Sequence, residues 1–182
     1  MGIADWIRIA RGNLTPEELA EREDAARARR LRVAAKTEAE RRDIRASNQA
    51  HARLKAAAAI GSVTLVCHAD TLSFLGTRLY GKEGWPDHHE LARRTQERPD
   101  NMRHVRLSGQ QVVTILNLTA RLAGIWKYPF YVHDTERAIG SRIYEIVGTV
   151  VDTVNPDAPA GNPVPPIIVD DRAAPTADEL PE

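Results

Sequence analysis

The chain has 182 residues, 42% hydrophobic and 27% charged, with 25 Lys and Arg balancing 25 Asp and Glu. That fits an ordinary domain with a real core plus an appendage or two, and zero net charge argues against a protein that grips nucleic acid with its whole surface. The single cysteine, Cys67, excludes an intramolecular disulfide.

The opening "MGIADWIRIARGN" lacks the basic start, long apolar run and small-residue cleavage site of a signal peptide. Its sixth residue is Trp6, where myristoylation favours Ser or Thr. A cytoplasmic setting is therefore expected. Residues 1–14 read as a short amphipathic segment, with Ile3, Trp6, Ile7 and Ala10 on one helical face. "TPEE" then starts a helix: Thr15 is the N-cap, Pro16 enters the first turn and Glu18 closes a capping box. No Pro or Gly follows before Gly61, and Ala, Arg and Glu fill the interval. A long charged helix over 15–58 is predicted. Its Leu19, Ala26 and Val33 keep a seven-residue step, but Glu40 and Ser47 follow. The heptad seam lapses, which falls short of a stable coiled coil.

Residues 59–154 are expected to form a helical core. Ile60, Val63, Leu65, Val66, Leu72, Phe74, Leu75 and Leu79 occupy several faces, as in a helix buried on more than one side. Ala56 to Gly76 has about the length of a membrane span, yet His68 and Asp70 sit near its middle. A carboxylate there would cost roughly 2.5–3.5 kcal/mol, so no integral span is expected. "GKEGWPD" is a loop, Asp87 with Glu90 caps a short helix, and "ERPDNMRHVR" reads as a break. Ser108 with Gln111 opens a further helix, and Asp134 or Thr135 another. The last one keeps helical spacing through Ile139, Ile143, Ile146, Val147, Val150 and Val154, with a strand over 146–154 as the competing reading. From Asn155 the chain is Pro-rich and acidic, and a disordered tail over 155–182 is expected. Within it "PPIIVDD" is an incidental apolar cluster, the alternatives being a segment that docks in a groove or adds to a sheet edge.

Local motifs for chemistry are weak. In "CHAD", Cys67, His68 and Asp70 do not converge on a helix. A packed thiol, a boundary histidine and an Asp paired with Arg121 or Arg142 account for them. "DHHE" lacks the His-x-x-x-His or Glu-x-x-His spacing of metal helices. His68, His104 and His133 are weak metal candidates that would have to meet from distant positions. Asp134 and Glu136 in "HDTE" suit a helix start. No phosphate loop, nucleophile elbow or zinc-finger pattern occurs, and no cofactor is expected.

Charge on the long helix is uneven. Residues 17–24 carry one cation against five carboxylates, a net −4, while residues 27–55 carry ten cations against three, a net +7. Part of this suits the helix dipole and i,i+4 pairing. The remainder makes Arg27, Arg29, Arg30, Arg32, Lys36, Arg41, Arg42 and Arg45 the candidate contact residues. The expectation is an all-α protein: a small helical bundle with a long charged N-terminal helix and a disordered tail. It would act as a non-enzymatic interaction or structural module, associating with itself or a protein partner through that helix. The alternatives are a nucleic-acid-associated protein gripping backbone phosphate through residues 27–55, and a metal-dependent or other enzyme without a local motif.

Overall fold

The computed structural model describes residues 16–99, 101–126, 131–155, 157 and 163–169. The expected amphipathic segment over 1–14 lies outside them. The chain divides into two compact units, Met1–Arg45 and Ala46–Glu182.

Helix α1 is a single 43-residue element, Pro16–Ala58. An Ala/Arg/Glu sequence with no Gly or Pro sustains it. Exposed i,i+4 ion pairs reinforce it, Lys36–Glu40 at 4.0 Å and Arg42–Glu38 at 3.7 Å. Each contributes a few tenths of a kcal/mol.

The second unit is not all-α, which corrects the bundle expected from sequence. Strands β1 (Val63–His68), β2 (Thr95–Glu97), β3 (Met102–Leu107) and β4 (Ile167–Val169) form one mixed sheet in the order β2-β3-β1-β4. Helices α2 (Ala69–Leu79), α3 (His88–Arg94), α4 (Gly109–Leu122) and α5 (Asp134–Val151) accompany it. β1 pairs antiparallel with β3 from Val63↔Leu107 to His68↔Met102, and parallel with β4 from Leu65↔Ile167 to Cys67↔Val169.

Three readings fail here, each for a physical reason. Residues 63–79 are a strand followed by a helix. The run "VTLVCH" buries Val63, Leu65 and Cys67 and half-buries the residues between. That period-two alternation was hidden in a short apolar run that also satisfies a helix. "ERPDNMRHVR" is the hairpin β2–β3. Asn101 takes φ 59° at its turn, a conformation Asn tolerates. Within β3, Val105 and Leu107 face the core while Arg106 faces out. Part of the expected disordered tail is β4, so the sheet-edge alternative for "PPIIVDD" is the one the structure adopts. Ile167 and Val169 are fully buried, and Ile168 between them is exposed.

The core lies between the inner sheet face and the helices. Leu65, Val105, Leu107 and Ile167 meet Leu75, Val112, Ile115, Leu116, Ile143 and Val147. Residues 134–151 are helix. The spacing of Ile143, Val147 and Val151 outweighs their β-branching because all three are buried together. Ser108 and Gln111 form the expected capping box, with Ser108 N–H donating to Gln111 Oε1 at 2.9 Å. Gly109 is a required glycine. A Cβ there would collide with the carbonyl oxygens of Ala57 and Ile60, so α4 starts in direct backbone contact with the end of α1.

Candidate interaction surface

The eight cations named from sequence, Arg27, Arg29, Arg30, Arg32, Lys36, Arg41, Arg42 and Arg45, are all exposed. At about 100° per residue they point to every side of α1 and form no single basic stripe. Lys36 and Arg42 are engaged in the i,i+4 pairs above.

The apolar residues behave differently. Leu19, Val33 and Ile44 are 47%, 60% and 61% exposed. Together with Ala26 and Thr37 they fall within an arc of about 40° on one face. The heptad does not end at Val33. It shifts by four residues to Thr37 and resumes at Ile44, a stutter that keeps the stripe straight along an unsupercoiled helix. Thr37 spends its hydroxyl on the Val33 carbonyl, donating at 3.0 Å. A strict seven-residue count misses this continuity. Leu31, 64% exposed, lies off the stripe.

Not every cation on α1 is available to a partner. Arg53 has only 6% of its side chain exposed. Its Nε and Nη2 donate to Asp152 at 3.0 and 2.8 Å, and Glu145 stands 3.7 Å away. The guanidinium lies 4.9 Å from the Tyr144 ring centroid and against Gly148, where a Cβ would collide with it. The bond to Asp152 raises its already high pKa further. In the charge count it was one of ten cations, and here it is a structural ion pair.

The metal candidates do not assemble. His68 ends β1, and its Nδ1 accepts from Asp70 N–H at 3.3 Å as the cap of α2. His104 sits half-buried on the outer sheet face opposite Val66 and Gln96. His133 precedes α5, edge-on to Tyr131 at 5.3 Å. Among the described residues no three His, Cys, Asp or Glu side chains are placed to hold a metal. Cys67 is fully buried. Asp70 lies against His68 and is mostly exposed, so it is not the expected partner of Arg121 or Arg142. Asp87 accepts the Glu90 N–H at 2.8 Å, which holds its carboxyl below the usual range. Glu90 pairs with Arg94 and Glu136 with Arg78; "DHHE" and "HDTE" both open helices, but the cap position of α5 is His133, which makes no side-chain cap bond, and not the expected Asp134 or Thr135.

Two clefts of the second unit had no sequence signal. One of about 620 Å³ has Leu79, Leu122 and Val132 in its lining, beside Arg78, Lys82 and Arg121. Its Thr114 hydroxyl is committed to the Gln110 carbonyl at 2.9 Å, and among the described residues no Cys, His or Ser lines it. The other, about 510 Å³, is lined by Arg93, Arg94 and Arg106 together with Ser62 and Ser108. Each collects residues from separate elements, which spacing along the chain does not reveal. Among the described residues neither pairs a nucleophile with a base.

Among the described residues no helix is long and apolar enough to cross a membrane. Comparison with family models, with curated proteins and with solved structures yields no match.

Proposed function

We propose that this protein is a non-enzymatic helical interaction module whose contact surface is the α1 face running from Leu19 to Ile44. One observation carries the reading: a straight stripe of apolar side chains, about half exposed or more, on a helix that its own sequence keeps rigid. Three large aliphatic residues aligned on one face are what a helical partner recognises. Two further facts support the same view. Most buried apolar residues of the second unit form one hydrophobic cluster, and among the described residues neither cleft carries a catalytic pair.

Sedimentation equilibrium over a range of concentrations tests it. The average mass of the wild-type chain is expected to rise with concentration, and Val33→Glu is expected to weaken association at least tenfold. Because Val33 is 60% exposed, that substitution leaves the fold intact, which circular dichroism verifies. A mass that stays monomeric, or association indifferent to Val33→Glu and Ile44→Glu, contradicts the proposal.

The exposure of all eight basic side chains favours a second reading, attachment to nucleic-acid phosphates. Replacing Arg29, Arg30, Arg41 and Arg42 with Gln would then weaken binding to a duplex oligonucleotide, and added salt would weaken it steeply. That the cations surround the helix, and that no aromatic residue occurs among residues 27–45 of the sequence for base stacking, ranks this reading second.

A further inference from the structure

The stripe on α1 has an internal symmetry that names its partner. Its positions are 19, 26, 33, 37 and 44, with Arg30 at its margin. Reversing the chain direction maps Leu19 onto Ile44, Ala26 onto Thr37 and Arg30 onto Val33. Four of the five stripe positions thus map onto stripe positions, and Val33 maps onto the marginal Arg30, so most of the stripe matches a copy of itself running the other way. We infer that the α1 stripe pairs with the same stripe of a second copy of this chain, the two helices running antiparallel about a twofold axis between residues 31 and 32. The inference rests on the interaction-module reading above and adds the occupant and its direction.

Side-chain size agrees with the pairing. Leu19 of one copy meets Ile44 of the other at both ends. The small pair Ala26 and Thr37 lets the backbones approach, and the Arg30 stem covers Val33 while its charge reaches water. Charge order selects the direction. Residues 17–24 carry a net −4. A parallel pair sets that acidic turn against itself. The antiparallel pair sets it against residues 39–46, where Arg41, Arg42 and Arg45 outnumber Glu40 and Asp43. Glu23 and Arg41 flank the stripe on the same side, and antiparallel packing brings them together twice. The middle of the helix, with Arg27, Arg29, Arg30 and Arg32, faces its own kind in either direction. Its repulsion limits affinity and is relieved by salt. This is an isologous contact, closed at two copies.

Cysteine cross-linking tests it. The native Cys67 is fully buried, so introduced thiols report alone. Leu19→Cys and Ile44→Cys chains are mixed and oxidised gently. The antiparallel pair gives predominantly the mixed 19–44 disulfide, and either variant alone gives at least fivefold less dimer. Disulfides at 19–19 and 44–44 that dominate would overturn the antiparallel direction and leave the interaction-module reading standing. A chain that cross-links in neither arrangement while its mass still rises with concentration overturns the pairing of the two stripes and leaves the interaction-module reading standing, whereas a chain that is also monomeric by mass at every concentration contradicts both. In a chain whose mass does rise with concentration, Glu23→Arg should weaken pairing and Arg41→Glu in the same chain should restore it. Failure of that rescue also counts against the antiparallel register.

Discussion

Arg53 shows how one residue changes meaning between sequence and structure. In sequence it extends a basic run, whereas in the fold it is gripped by Asp152, Glu145 and Tyr144 and shut against Gly148. Its removal strands little charge, since the Asp152 side chain is 44% exposed. Arg53→Ala is therefore expected to cost about 2–3 kcal/mol, below the usual penalty for breaking a fully buried pair. Arg53→Met, which refills the apolar volume, should cost about 1 kcal/mol. Urea unfolding of the two variants checks the order. Asp87 gives a pH prediction. Its carboxyl is lowered by the Glu90 N–H. Its stabilisation is therefore present above the ordinary carboxylate range and lost as pH falls through the lowered value. The thermal midpoint of Asp87→Ala should lie below wild type at neutral pH, and the gap should close in acid.

At the scale of elements, local signals worked where a pattern was long or chemically specific. The α1 interior, the Ser108–Gln111 box and the Asp87 cap are each set by residues within a few positions of one another. Strands failed because each is short and owes its existence to a distant partner. β1 needs Val105 and Leu107 on one side and Ile167 on the other. Nothing local distinguishes "VTLVCH" from a turn and a half of buried helix. The edge strand β4 is the sharpest case, since a three-residue strand after a Pro-rich stretch sends Ile167 and Val169 into the core. Ile167→Ala should destabilise the protein by about 2–5 kcal/mol through the cavity it leaves. Ile168→Ala, one residue on and 53% exposed, should change stability by less than about 0.5 kcal/mol. Equal effects would mean that the strand does not sit in this register.

For the whole molecule, the candidate surface was half legible. The basic residues were visible, but their scatter around the helix follows only from reading them as angles. The apolar stripe was seen as far as Val33 and lost at the stutter, because a heptad count cannot follow a four-residue shift. The clefts left no trace, one being assembled from α2, α4 and the start of α5 and the other from α3, β2, β3 and the residues before β1. What distinguishes the molecule is the contrast between its units. Among the described residues of 46–182, most large apolar side chains are buried in one cluster, while Tyr80, Tyr131, Ile139 and Ile168 are exposed. Residues 16–45 leave Leu19, Leu31, Val33 and Ile44 in water. Burying Leu19, Val33 and Ile44 from two copies is worth about 1.5–3 kcal/mol per side chain at full burial. Association itself costs about 4–15 kcal/mol. The balance predicts a weak pair whose population depends on concentration, with salt as the discriminating variable. Solution mass measured by sedimentation at about 50 mM and about 500 mM salt tests the central claim most directly. Pairing through the apolar stripe predicts that the dimer persists or strengthens at the higher salt and disappears in Val33→Glu. A dimer that falls apart as salt rises, or survives Val33→Glu unchanged, would contradict it.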